Sequence, residues 1–250
     1  MKVIKDKEVT ILVLLNESDI PNRREVRYAS WEVFAVDVRR LIQGYMLVMM
    51  SVLAWFCYES CSEGKFECSI HKFPDISHVM GGPPLNKLYM MLLTLYSMIK
   101  VVETRTYHDR LSAIANPMIN NAMIIPAVVA AVYGPAIGYY DVYYDVKTHV
   151  KVAGYFTLGE LIYLLMIILV LVTNLKELSP NQRILTALIL FLFALVVAVG
   201  VVMTYRNDLG LNGYAVNQIG EWVAFYLDFI IRMVLAELLA SGYREYVRSS

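Results

Sequence analysis

The stretch ILTALILFLFALVVAVGVVMTY, residues 184–205, contains no acidic, basic or proline residue. As a helix rising ~1.5 Å per residue it covers about 33 Å, enough for the ~30 Å hydrocarbon layer of a bilayer. Such a run predicts a membrane-spanning helix, and five further apolar stretches follow the same logic with more interruption: residues 41–58, 85–104, 113–140, 152–174 and 216–240. The chain is 58% hydrophobic, with a mean hydropathy of +0.52. That exceeds the roughly 45–50% apolar content of soluble domains. The expected fold is all-α: a polytopic membrane protein with a six-transmembrane-helix bundle and a short N-terminal extramembrane segment.

Three parts follow from this pattern. Residues 1–40 form an N-terminal cytosolic or interfacial segment, residues 41–240 the transmembrane domain, and residues 241–250 a polar tail. With the N-terminus placed inside, the inside segments hold eight Lys and Arg in the first forty residues plus Arg105, Arg110, Lys176, Arg183, Arg244 and Arg248. The outside loops hold only Lys65, Lys72, Lys147, Lys151 and Arg206. Basic flanks favour the cytosolic side, so both termini are expected there. No basic stripe interleaved with aromatics appears, which argues against nucleic acid. The opening residues mix acids and bases and lack a cleavage site, so they read neither as a signal peptide nor as a presequence.

Within the first segment, residues 9–15 form a short apolar, partly β-branched run that reads as a strand, which alone must pair with another chain, dock on the membrane surface or stay loose. Trp31, Phe34, Ala35 and Val38 recur at helical spacing and predict an interfacial helix leading into the first span. Protein partners are expected to dock through residues 1–40. The stretch 113–140 is overlong for one span, and Pro117, Pro126 and Pro135 invite kinks along it. At its exit the sequence repeats, Tyr139 to Val142 followed by Tyr143 to Val146, placing tyrosines where a membrane surface favours them. Cys57, Cys61 and Cys68 crowd the end of the first span and the loop after it. Two readings stand: Cys61 and Cys68 pair as a disulfide in an oxidising lumen, or all three are small packing residues.

Polar residues at membrane depth supply the site candidates. Glu221, Asp228 and Arg232 stand at i, i+7 and i+11 on one helical face, and Asp228 and Arg232 are spaced to pair. A lone charge at the bilayer centre costs ~2.5–3.5 kcal/mol, so these groups face the bundle, a cavity or a partner. They read either as a lipid-headgroup or proton site, or as a structural ion pair fixing helix register. Glu160 in the fourth span and His149 before it join them as headgroup candidates. Lys100 and Glu103 read as a snorkelling pair closing the second span near the interface, and Asn116 and Asn120 as interhelical hydrogen-bonding groups. Asp141, Asp145 and His149 share a face if their segment is helical, but solvated loop charges are the simpler reading and no metal site is assigned. Serine-hydrolase, zinc-protease and phosphate-loop signatures are missing. No catalytic residue and no cofactor is indicated.

The loop sequence FPDISHVMGGPPL, residues 73–85, resembles the first-loop signature of the FRAG/DRAM/SFK family, through Pro74, Ile76, Ser77, Gly81, Gly82, Pro83 and Pro84. Gly213-Tyr214, Gly220-Glu221-Trp222 and Asp228 are similar to that family's last-helix pattern, and His149 sits where its members often carry a histidine. This resemblance implies a six-helix bundle that handles membrane lipids. One branch of the family acts in fatty-acid remodelling of GPI anchors, which implies a Golgi or ER location. A different class of function is a non-catalytic accessory subunit of a large membrane complex, such as a respiratory or ATP-synthase assembly of the mitochondrial inner membrane.

Overall fold

The computed structural model describes the backbone of residues 4–5, 10–11, 23–69, 72–205 and 213–249, and the side chains of residues 37–69, 72–205 and 216–240. Helices dominate: α1 (Arg23–Ser62), α2 (Ile76–Met80), α3 (Leu85–Leu111), α4 (Pro117–Ala122), α5 (Ile124–Tyr139), α6 (Val146–Thr173), α7 (Pro180–Tyr205) and α8 (Gly213–Ser249). Five described segments are long and apolar enough to cross a membrane: Asp37–Ser62, Leu85–Leu111, Pro117–Tyr139, Val146–Thr173 and Pro180–Tyr205. The chain is an all-α, multi-pass membrane protein. The sixth apolar stretch lies within α8, which has the length to span but carries Glu221, Asp228, Arg232 and Glu237.

The spans are mostly apolar on both their protein-facing and outward faces, with Lys100 and Glu103 of α3 and Glu160 of α6 turned into the bundle. In α1 the buried residues Val38, Ile42, Tyr45, Met49, Leu53 and Cys57 recur every three or four positions, while Leu47, Val48, Trp55 and Tyr58 stay exposed. α7 is the extreme case, fully burying only Thr186, Ile189 and Leu192, with Leu185, Phe193 and Val196 partly buried against the core. Packing runs α7 on α8, α8 on α1, α1 on α3, α3 on α5 and α5 on α6. The ring closes only weakly, because α6 and α7 touch sparingly. The Leu175–Glu177 turn joins them at one end, where Arg183 donates to the Leu175, Lys176 and Leu178 carbonyls.

Small residues set the closest approaches. A Cβ on Gly138 of α5 would lie 2.6 Å from the Met90 Cα of α3, and one on Gly159 of α6 would lie 2.9 Å from the Pro126 carbonyl oxygen of α5. This is the close backbone packing by which membrane helices gain contact without help from water.

Three expectations change. The 113–140 stretch is not one long helix: Asn116 caps a helix starting at Pro117, and helix α4 stops at Ala122 before α5 begins. Pro126 has no N–H to give the Ala122 carbonyl, which accounts for the break there. Helix α3 continues past Thr104 to Leu111, because Tyr107 and Leu111 are buried and hold the polar turn between them in helical form. The helix expected to lead into the first span is continuous with it, since α1 runs unbroken from Arg23 through residue 41. Lastly, the residue 9–15 run finds a partner within the chain, since Thr10–Ile11 pairs antiparallel with Ile4–Lys5, Ile4 opposite Ile11. The rest of that run lies outside the described residues.

Candidate functional site

At one end of the bundle the loop before α3 folds over the helices, and its anchors are nearly all side chain to backbone. Asp75 caps α2, accepting the His78 N–H and the His78 ring Nδ1, both at 2.7 Å. The hydrogen bond to Asp75 raises the His78 pKa above its ordinary value, against partial burial. Trp222 of α8 donates its indole N–H to the Pro74 carbonyl at 2.8 Å. Its neighbour Glu221 accepts from the backbone N–H groups of Ile76 and Ser77. His149 of α6 lies 2.6 Å by Nδ1 from the Tyr140 carbonyl and 2.8 Å by Nε2 from the Ser77 hydroxyl. A carbonyl only accepts, so Nδ1 carries the proton, and in the neutral ring Nε2 accepts from Ser77.

Asp141 binds the same loop from the other side, taking the Gly82 N–H at 2.8 Å and the Tyr143 N–H at 2.9 Å. Gly82 sits at φ +73°, in the left-handed region that glycine enters without cost. A Cβ on Gly81 would fall 2.8 Å from both the Ser77 carbonyl and the Tyr143 ring. Asp145 caps α6, and its hydrogen bonds with Thr148 hold its carboxyl below the ordinary value. Asp141, Asp145 and His149 thus serve three separate ties. Among the described residues no cluster of three His, Cys, Asp or Glu is placed to hold a metal ion. A disulfide joins Cys61 and Cys68 at the end of α1, with Cα atoms 5.6 Å apart, and Cys57 is buried as a free thiol.

Deeper along α8 the polar groups bind one another. Arg232, fully buried, donates Nε to Asp228 at 2.9 Å, Nη1 to both oxygens of Glu103 at 3.1 and 3.2 Å, and Nη2 to Glu160. Lys100 reaches Glu160 at 2.9 Å and Glu103 at 3.6 Å, and its ammonium sits 3.7 Å from the centre of the Tyr163 ring. Tyr96 donates its hydroxyl to Glu160 at 2.5 Å. Three helices, α3, α6 and α8, therefore share a cluster of two cations and three carboxylates. The expected snorkelling role for Lys100 and Glu103 is overturned: Lys100 is the sixteenth residue of the 27 in α3, not the end of a span.

Beside this cluster, at the loose seam between α6 and α7, lies a cavity of about 380 Å³. Leu93, Phe156, Leu164, Phe193, Val196 and Phe225 give it apolar walls. Its ionisable wall groups are Glu160, Glu221 and Asp228. Its volume falls within the ~300–1,000 Å³ typical of ligand sites.

The loop signature, the histidine and the Glu-Trp pair thus meet at one end of one bundle, and a family model described as Frag1/DRAM/Sfk1/Cwh43P N-terminal domain matches residues 41–237. The chain belongs to this family. No curated protein and no solved structure matches it. In this Frag1/DRAM/Sfk1 chain the five headgroup candidates divide by position. Glu221, Asp228 and Glu160 line the cavity, Arg232 is committed behind it, and His149 ties the loop. Sequence reasoning missed Tyr96 and misplaced Lys100 and Glu103. The available signal was that these two charges stand inside a long apolar stretch, where unpaired charge is costly.

Proposed function

We propose that the chain binds a membrane lipid in the cavity between α6 and α7 and assists its remodelling, the lipid being of the GPI-anchor type and the membrane that of the Golgi or ER. The observation that carries this reading is the cavity itself: apolar walls to take a hydrocarbon chain, carboxylates to orient a polar head, and a seam of sparsely touching helices open to lipid. Membership of the Frag1/DRAM/Sfk1 family supports a role in lipid handling. The Cys61–Cys68 disulfide suits a loop facing an oxidising lumen. The role proposed is holding and presenting a lipid.

The test is the lipid composition of GPI anchors in cells carrying Gly200→Phe. Gly200 lines the cavity, and a Cβ there meets no atom within 4 Å, so a larger side chain starts in open space at the cavity wall. Altered anchor lipids with normal protein level and location are expected. Unchanged anchor lipids in cells depending on the variant alone would overturn the remodelling role.

A further inference from the structure

We infer that the cavity selects an amphiphile with a positively charged head, a long-chain amine in preference to an alcohol, a phosphate or a carboxylate. This rests on the lipid-binding reading and adds the chemistry of the head. The cavity wall includes three carboxylates, Glu160, Glu221 and Asp228, and no Lys or Arg. The nearest cations stand behind that wall and are spent. Lys100 is held by Glu103 and Glu160, and Arg232 by Glu103, Glu160 and Asp228. Neither cation exposes more than 1% of its surface, so neither is free to meet an anion.

Glu103, Glu160 and Asp228 share only two cations, Lys100 and Arg232, so one of the three carboxyl groups has no cation of its own. The one that faces the cavity is Asp228. Its side chain is 24% exposed, against 0% for Glu103 and 6% for Glu160. One Asp228 oxygen accepts from Arg232, and among the described residues the other has no protein partner. In a low-dielectric setting such a group is stabilised by a bound cation and repels an anion strongly. Toward the loop end Glu221 adds a further carboxyl group, hydrogen-bonded by the Ile76 and Ser77 N–H groups, while His78 nearby is bound by Asp75. Phe156, Phe193, Phe225 and Phe229 also line the wall, and aromatic rings are a favourable surrounding for an ammonium group.

The experiment uses the full chain in a non-ionic detergent near neutral pH, titrated calorimetrically with hexadecylamine, hexadecanol and palmitate, which share a chain and differ in head. The amine is expected to bind about tenfold more tightly than the alcohol, with palmitate weakest. Asp228→Asn, which keeps an oxygen for Arg232, should bring amine and alcohol within about twofold of each other. If that variant does not fold, the wild-type series stands by itself. Gly200→Phe should weaken all three ligands. Equal binding of the three, lost in Gly200→Phe, would refute the head preference and leave lipid binding standing. Amine binding that Gly200→Phe does not alter would place the amine outside the cavity and refute the inference. Binding of none of the three would refute both readings.

Discussion

At the loop end of the bundle, polar side chains hold backbone: Trp222 holds Pro74, Glu221 holds Ile76 and Ser77, His149 holds Tyr140, and Asp141 holds Gly82 and Tyr143. Eleven residues farther along α8 than Glu221, Arg232 stands in a cluster where charged side chains hold one another across three helices. Losing one tie in the first region costs a single hydrogen bond and leaves the others in place. Losing a member of the second leaves buried charge with too few partners, so the cost is shared by every group it touched. One region fixes a loop, and the other fixes how α3, α6 and α8 sit against each other and thereby shapes the cavity.

The largest break in this comparison is expected from Arg232→Met. It removes one cation from three carboxylates and should lower stability by about 3–5 kcal/mol, measured by thermal unfolding in detergent. Adding Asp228→Leu should recover only part of that loss, because Glu103 and Glu160 would still depend on Lys100 alone. Full recovery in the double variant would contradict the shared cluster and reduce it to a local Asp228–Arg232 pair. His149→Ala is the corresponding break at the loop end. It strips partners from the Tyr140 carbonyl and the Ser77 hydroxyl and should cost about 1–3 kcal/mol, with protease sensitivity confined to the 63–84 loop. A loss as large as that of Arg232→Met would erase the distinction between the regions.

The smallest expected effect is a pH dependence. His78 has a folded pKa above its ordinary value, chiefly through its hydrogen bond to Asp75. Its contribution to stability is therefore complete below about pH 6.5 and fades as pH rises through the raised folded value. Because its side chain is 39% exposed, solvent screens the pair and the change in melting temperature should be slight. His78→Gln should flatten the melting-temperature profile across that window. A profile unchanged by the substitution would assign the pH dependence to other groups.

Much of the fold was legible because membrane spans announce themselves by length and composition. Residues 184–205 required no structure to read. So too did the Asp228–Arg232 pair, since neighbours four apart in a helix touch by geometry alone. The loop motif and the Glu-Trp pair pointed to a family, though not to the contact between Trp222 and Pro74. What stayed hidden depends on distance along the chain. Arg232 meets Glu103 across 129 residues and Lys100 meets Glu160 across 60, and no local spacing encodes either. The end of α3 was misread for a different reason. Arg105, His108, Asp109 and Arg110 resemble a loop, yet the buried Tyr107 and Leu111 keep that turn helical. Placing the end at Thr104 moved Lys100 to the membrane surface on paper, and with it the core of the site.

The central claim is that the seam between α6 and α7 holds a lipid, and native mass spectrometry tests it most directly. Full-length wild-type protein and Gly200→Phe would be released from identical mild detergent, and the lipid carried by each counted. The wild type should retain a bound lipid, and Gly200→Phe should lose it while keeping the wild-type melting temperature within about 2 °C, a shift of under ~1 kcal/mol for a chain of this size. Equal retention by both proteins would contradict the account.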